Sequence, residues 1–401
     1  LSILNQRGIS VPVILGGAAL TRRYVEEDCR KVYKGTLYYG QDAFDDLKIM
    51  EVIATGDHSL LPQVPAIECE DLDDDDDIEE IRFGKEDTSL VVPDLPSSRS
   101  NVAAETPVLP PFWGSKAVCD FDLAEVFSYI NENALIRGQF RVRQGDSTDA
   151  HYQAVVAEKI TPMLAQLKQR CIEQKLLEPK AVYGYFPCRS NGNQLVVYKP
   201  TGLESSTSSR TGTSSGTNSG IELPDLEEWL RFDFPRQQVG RHFCISDFFS
   251  ASSAGYDVLP AQIVTMGARA TEHAQALFAD NQYSEYLYFH GLAVESAEAL
   301  AELLHKRVRA ELGFDHLDAT DQRKFFQQGY RGTRYSFGYP ACPNLEDQAH
   351  LFTLLKPERI GVSLSDEYQL VPEQSTSAIV VVHPEAKYFN IVRKKIATSE
   401  V

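Results

Sequence analysis

Between Glu68 and Glu80 ten of the thirteen residues are Asp or Glu, and Asp73 to Asp77 are consecutive. Like charges at this density repel one another and keep their water, so the segment cannot join a packed core. The wider stretch from Asp57 to Pro96 is acidic, contains prolines and lacks hydrophobic periodicity. It splits the chain into pieces that must bury their apolar surface separately. The expected units are 1–56, an acidic linker over 57–105, and 106–401. The formal net charge is −18, and the ten clustered acids account for ten of it, leaving −8. That is ordinary for a soluble domain and opposite to the basic faces that phosphate backbones select, so no nucleic-acid partner is expected.

With 401 residues, 43% of them hydrophobic, the chain holds enough apolar material for full-sized cores. No apolar run approaches the roughly 18 residues of a membrane span, and the first residues lack the basic-then-apolar order of a secretory signal. The seven cysteines are scattered and never form a C-x-x-C pair. Together these features predict a reduced, cytoplasmic protein without a membrane partner. The nine histidines show no H-E-x-x-H pattern and no clustering with cysteine, so no metal ligand set is assigned.

In the first unit, Pro12-Val13-Ile14-Leu15 ends at Gly16-Gly17. A helical spacing follows at Val25, Cys29 and Val32 behind Thr21 as N-cap, then an apolar run Thr36-Leu37-Tyr38-Tyr39, Gly40, and an amphipathic stretch through Ile53. Strand, glycine turn, helix, strand, helix is half of a doubly wound α/β sheet, in which ligands sit beyond the carboxyl ends of the strands. So short a piece cannot close such a sheet, and it reads as the end of something longer. Beyond Thr106, helical patterns run over Leu123–Leu135, His151–Glu173 and Ser296–Leu312, and strand patterns over Ala181–Phe186, Gln194–Tyr198 and Ala378–Val382. They do not alternate, which predicts an α+β domain with a largely antiparallel sheet and flanking helices. The Ser/Thr/Gly tract of residues 201–220 reads as a flexible insertion.

The segment Arg334-Tyr335-Ser336-Phe337-Gly338-Tyr339-Pro340-Ala341-Cys342-Pro343 carries the most chemistry. Its prolines and glycine exclude a regular helix and stiffen the backbone. Arg334 offers a planar fork of donors for a carboxylate, and Tyr339 an aromatic face for a sulfonium-like cation. On local chemistry alone, a structural turn with a surface arginine and core aromatics is the commoner explanation.

The string R-x-x-x-G-Y-P-A-C-P resembles the adenosylmethionine-binding loop of the activation domain of cobalamin-dependent methionine synthase. Thr106 to Gly114, Gly184 to Pro187, Cys244 to Phe248, Leu304 to Arg309 and His383 to Tyr388 are similar to the same family in the same order, and Ile14 to Ala18 resembles its cobalamin domain. The resemblance implies an S-adenosylmethionine site at Arg334, Gly338, Tyr339 and Ala341, with Glu298 bordering the groove and holding the ligand's ammonium or a ribose hydroxyl. It also assigns Asn131, where the family usually has Asp, with Glu132 as a possible substitute for the missing charge, and Val380 and Val381 as backbone and apolar contacts. Gly16, Gly17 and Ala43 would take the nucleotide tail of cobalamin. The family's D-x-H-x-x-G cobalt-ligating motif is expected before residue 1, as is its zinc.

What the resemblance implies for function is reductive methylation of cob(II)alamin with S-adenosylmethionine. This occurs within an enzyme moving methyl from 5-methyltetrahydrofolate to homocysteine, served by a low-potential flavodoxin- or ferredoxin-like electron donor. Positioning rather than acid–base chemistry would do the work, so no catalytic residue is assigned. The alternative is a non-catalytic docking or regulatory fragment of the same enzyme. A free-standing methyltransferase of the doubly wound type is disfavoured, because no acidic residue ends the strand after Gly16-Gly17.

Overall fold

The computed structural model describes residues 1–16, 25, 29–40, 43–56, 100–142, 149–203, 221–237, 240–251 and 255–389. Most of the acidic linker, most of the 201–220 tract, Thr21 and Gly17 therefore lie outside the described residues.

The N-terminal unit contains α1 (Ser2–Gln6), β1 (Val13–Gly16), α2 (Arg30–Val32), β2 (Leu37–Gly40) and α3 (Ala43–Thr55). β1 and β2 are parallel, in register from Val13 with Leu37 to Gly16 with Gly40. Parallel neighbours need a crossover connection, which is what the helical spacing between the two runs supplies. Val25, Tyr33 and Leu37 form its core.

The C-terminal unit is α+β. In chain order it comprises β3 (Gly114–Val118), α4 (Leu123–Ser128), a π-helical turn (Ala134–Gln139), α5 (Asp149–Val155), a second π-helical turn (Val156–Ile160) and α6 (Thr161–Glu173). There follow β4 (Lys180–Asn191), β5 (Gln194–Tyr198), β6 (Glu228–Asp233), β7 (Asp257–Thr265), α7 (Ala268–Ala279) and α8 (Tyr283–Glu311). The chain then adds β8 (Thr333–Tyr335), α9 (Gln348–Leu355), β9 (Ser363–Leu364), β10 (Leu370–Val371) and β11 (Ser375–Val381). Apart from the β9–β10 pair, these strands build one seven-stranded sheet in the order β6-β5-β4-β7-β11-β8, with β3 alongside the first half of β4. Every pairing in it is antiparallel.

Side chains alternate across a strand, so each central strand feeds two cores. Ala181, Tyr183 and Tyr185 of β4 and Val380 of β11 join the core under α4, α6, α7 and α8. Val182, Phe186, Ile379 and Val381 face the opposite core, with Leu351, Leu354 and Leu355 of α9.

Several elements differ from the sequence reading. The helix expected to Leu135 stops at Ser128. Asn131 Oδ1 there accepts from the Ala134 N–H at 3.2 Å and starts the π-helical turn. The helix expected over 151–173 carries its own π-helical turn just before Pro162, which has no N–H to donate. α8 begins at Tyr283 rather than Ser296 and runs for 29 residues. Its middle, from Phe289 to Ala301, is buried on several sides, which hides the one-sided stripe that marks a surface helix. β8 makes Arg334 a strand residue where an irregular loop was expected.

Candidate functional site

Two elements build the site. On α8, Glu295, Glu298, Glu302, His305 and Arg309 recur three or four positions apart and so share one face. β8 lies on the far side of β11, with Arg334 opposite Val380. Cross-strand partners point to the same face of a sheet, and Val380 is packed in the α8-side core, so Arg334 is directed at the acidic stripe. Gly332 makes this approach possible. Its φ is +85°, and a Cβ there would stand 2.1 Å from the Val381 carbonyl oxygen, so no side chain fits.

The loop after β8 closes on itself. Gly338 N–H donates to the Cys342 carbonyl at 3.0 Å, Cys342 N–H to the Tyr339 carbonyl at 2.9 Å, and Cys342 Sγ–H to the Ser336 carbonyl at 2.9 Å. Gly338 has φ +91°, the left-handed bend that turns the chain back. Tyr335 Oη donates to the Lys387 carbonyl at 2.6 Å, fastening the segment that carries Tyr388.

Between them lies a groove enclosing about 980 Å³ of atom-free space, its mouth included. Glu295, Glu298 and Glu302 line one side, Arg334, Tyr339, Ala341 and Cys342 another. Tyr129, Phe325, Phe326, Tyr330 and Tyr388 supply aromatic walls, and Asn131 and Gln328 polar edges. Arg334 Nη1 donates to Glu302 Oε2 at 2.5 Å. Burial opposes the arginine's charge, but the Glu302 carboxylate, the Tyr330 phenol and the Glu298 carboxylate outweigh it and push its pKa above the ordinary guanidinium value. Tyr330 Oη donates to the same Glu302 oxygen at 3.1 Å; burial first, and the Glu302 charge next, push its phenol up. Glu298 is half-buried and makes no hydrogen bond to a described residue, so its carboxylate faces the groove available for a ligand's cation or hydroxyl.

Of the residues singled out from the sequence, Arg334, Glu298, Asn131, Tyr339 and Ala341 meet around this groove. Gly338 sits exposed at the bend behind it and shapes the loop. Val380 and Val381 are 0% and 1% exposed core residues on opposite faces of the sheet and do not form the groove wall. Glu132 does not replace the charge missing at Asn131: its carboxylate pairs with Lys168 at the surface, at 3.0 Å. Asn131 is itself committed as an acceptor to the Ala134 N–H, which leaves its Nδ2 as the donor available to the groove. Sequence reasoning missed Glu302, Tyr330, Gln328, Tyr129 and Tyr388. For Glu302 a signal existed in its spacing from Glu298 on one helical face; Tyr388 lay inside a stretch already seen as similar to the family. In the N-terminal unit, Gly16 and Gly40 end the two parallel strands side by side, and Ala43 opens α3.

A seven-stranded antiparallel sheet carrying an acidic helix face against an arginine–tyrosine loop defines an α+β domain with a groove walled by acidic, aromatic and arginine side chains. Residues 122–400 match the model of the vitamin B12-dependent methionine synthase activation domain, and the chain belongs to that family. It is 40% identical over 410 residues to the methionine synthase of Mycobacterium tuberculosis (strain ATCC 25618 / H37Rv), covering 97% of this chain and 33% of that protein. The figures for the methionine synthase of Mycobacterium leprae (strain TN) are 38% over 417 residues, 97% and 32%. The chain thus spans about a third of the length of these curated relatives. Among solved structures, the crystal structure of the MetH reactivation domain bound to AdoHcy superposes with a TM-score of 0.59 at 22% identity, covering 72% of this chain and 85% of that one, a likeness of fold.

Proposed function

We propose that this chain is the reactivation module of a cobalamin-dependent methionine synthase and that its groove binds S-adenosylmethionine. The observation that carries the reading is the pairing, in one aromatic cleft, of a carboxylate that makes no hydrogen bond to a described residue, Glu298, with an arginine fork, Arg334. A methionyl sulfonium needs both: an anion for its ammonium and a donor fork for its carboxylate. Tyr129, Tyr339 and Tyr388 add electron-rich faces for the adenine and the sulfonium. The solved relative in this fold was crystallised with AdoHcy, the demethylated form of that ligand.

In this reading the chain's residues bind and orient; none donates or removes a proton. Glu298 and Arg334 fix the amino-acid end, the aromatic walls shed water, and the methyl group is left facing the open mouth, the positioning that an in-line transfer demands. Cobalamin, when bound, would supply the metal centre that accepts the methyl group. Its nucleotide tail suits the carboxyl ends of β1 and β2, where the paired Gly16 and Gly40 stand at the ligand position of doubly wound sheets. Gly17 and Ala43 belong to the same proposal, as do the division of the chain at 56 and 105, a cytoplasmic setting and a flavodoxin- or ferredoxin-like electron donor.

Calorimetric titration with S-adenosylmethionine is expected to show saturable one-site binding. Arg334→Ala or Glu298→Gln should weaken it about tenfold or more, the loss of one charge-assisted contact. Absence of saturable binding at millimolar ligand overturns the reading and leaves the docking fragment in its place.

A further inference from the structure

The polar stripe of α8 does not end at the groove. Past Glu302 it continues into the core as His305 and Arg309, both 0% exposed. An ion buried as deeply as Arg309 is costly unless it has partners. Here the partners form one alternating row. Asp318 takes Arg309 Nε at 2.8 Å and Nη2 at 2.9 Å. Arg309 Nη1 faces Glu302 Oε1 at 3.7 Å, and Glu302 Oε2 takes Arg334 Nη1. Arg309 Cζ also lies over the Tyr330 ring, 3.9 Å from its centroid, while Tyr330 Oη donates to Glu302. His305 Nδ1 stands 3.4 Å from Arg334 Nη1. Asp318 and Arg309 do not line the groove.

We infer that Glu302, Arg309 and Asp318 are positioning residues: they hold the Arg334 guanidinium by one nitrogen so that its remaining donors, Nε and Nη2, face the carboxylate of an amino-acid-bearing ligand. Those two nitrogens make no hydrogen bond to a described residue. An unrestrained arginine would surrender its rotamer freedom on binding, whereas this fork has already surrendered it. The row thereby sets specificity for the amino-acid end of the ligand and is indifferent to the nucleoside end. This inference rests on the ligand reading above but concerns a different set of residues.

The test uses the isosteric variants Glu302→Gln and Asp318→Asn, with folding checked by circular dichroism. Two probes are titrated: S-adenosylhomocysteine, which has the amino-acid end, and 5′-methylthioadenosine, which lacks it. Each variant is expected to weaken the first about five- to tenfold and to leave the second unchanged. In an Arg334→Ala background neither should cause further loss. Equal losses for both probes, or losses that add fully to that of Arg334→Ala, overturn the inference, because a general structural role or direct ligand contact would then suffice. A ligand-free readout keeps the two proposals distinguishable. The side-chain Nε–H of Arg334, followed by nitrogen-15 relaxation, should be rigid in the parent protein and mobile in Glu302→Gln and Asp318→Asn. Unchanged rigidity overturns the positioning role even if the protein binds neither probe.

Discussion

His305 and His383 are buried as neutral rings, and their pH behaviour follows from their partners. Burial, then the charges of Arg309 and Arg334, hold His305 well below the ordinary value of 6.5. His383 is lowered too, chiefly by burial. Its Nε2–H donates to the Ala103 carbonyl at 2.8 Å while its Nδ1 accepts from the Glu385 N–H at 3.1 Å, an arrangement only the neutral ring satisfies. A base whose folded pKa is depressed binds more protons when unfolded. Stability is therefore complete above about pH 6.5 and declines as pH falls below it, by at most about 1.4 kcal/mol per pH unit per ring. Urea midpoints measured from pH 7.5 to 5 should fall in the parent protein and fall less steeply in His383→Gln; parallel curves would remove His383 from the account. Asn131 gives a second prediction at this scale. In Asn131→Asp one carboxylate oxygen keeps the cap on Ala134 while the other faces the groove, so S-adenosylmethionine should bind several-fold more tightly at low salt, with the gain shrinking as salt is added. Equal affinity at both ionic strengths would show that the charge does not reach the ligand. Arg334 and Tyr339 stood out in the sequence because their motif is contiguous and resembles the family's loop, and Glu298 entered through that resemblance alone. Glu302, Tyr330 and Tyr388 were not, since their meeting depends on β8 and α8 approaching across the sheet.

At the scale of elements, β8 is short, Thr333–Tyr335, yet it aims the site. It was invisible to periodicity because three residues cannot display an alternation, and its pairing partner β11 lies some forty residues onward in the chain. Parts of β4 and β11, the whole of β5 and the stripe at Leu300, Leu304 and Val308 were legible because each repeats one pattern, whereas β7, a near-continuous buried run, was not assigned. The break at Asn131 and the π-helical turn after it were not, because a side-chain cap competes with the helix without altering hydrophobic spacing. Gly332 decides whether β8 can seat. Gly332→Ala combines a left-handed backbone with a Cβ placed 2.1 Å from the Val381 oxygen, and should cost about 2–4 kcal/mol in urea unfolding. Ligand affinity should fall with it, as Arg334 is displaced. A variant of parental stability would mean that the loop relaxes without moving the strand.

For the whole molecule, the acidic run marks a change in composition, but composition could not show that residues 100–105 are fastened to the C-terminal unit. The structure holds residues 100–105 along the C-terminal unit by side chains from distant elements. Ser100 N–H and Oγ–H donate to Asp247 Oδ2 at 3.1 and 2.5 Å, Ala103 N–H donates to Glu385 Oε1 at 2.9 Å, and Glu105 pairs with Arg331 at 2.9 Å. Arg331 Nε in turn donates to the Val382 carbonyl at 2.7 Å, next to the β8–β11 pair that carries Arg334. Asp247 is 1% exposed and also takes both terminal nitrogens of Arg236. The clasp thus ties the linker's end to a buried ion pair on one side and to the binding strand on the other. A fragment beginning at residue 106 should therefore unfold several degrees below one beginning at residue 100, because it loses these bonds and leaves Asp247 and Glu385 short of donors. Asp247→Ala in the longer fragment should cost about 3–5 kcal/mol, since it strands the Arg236 charge. Scanning calorimetry of the three proteins decides the matter: coincident transitions for the two fragments would show that the clasp adds no stability and that the domain ends where the sequence placed it.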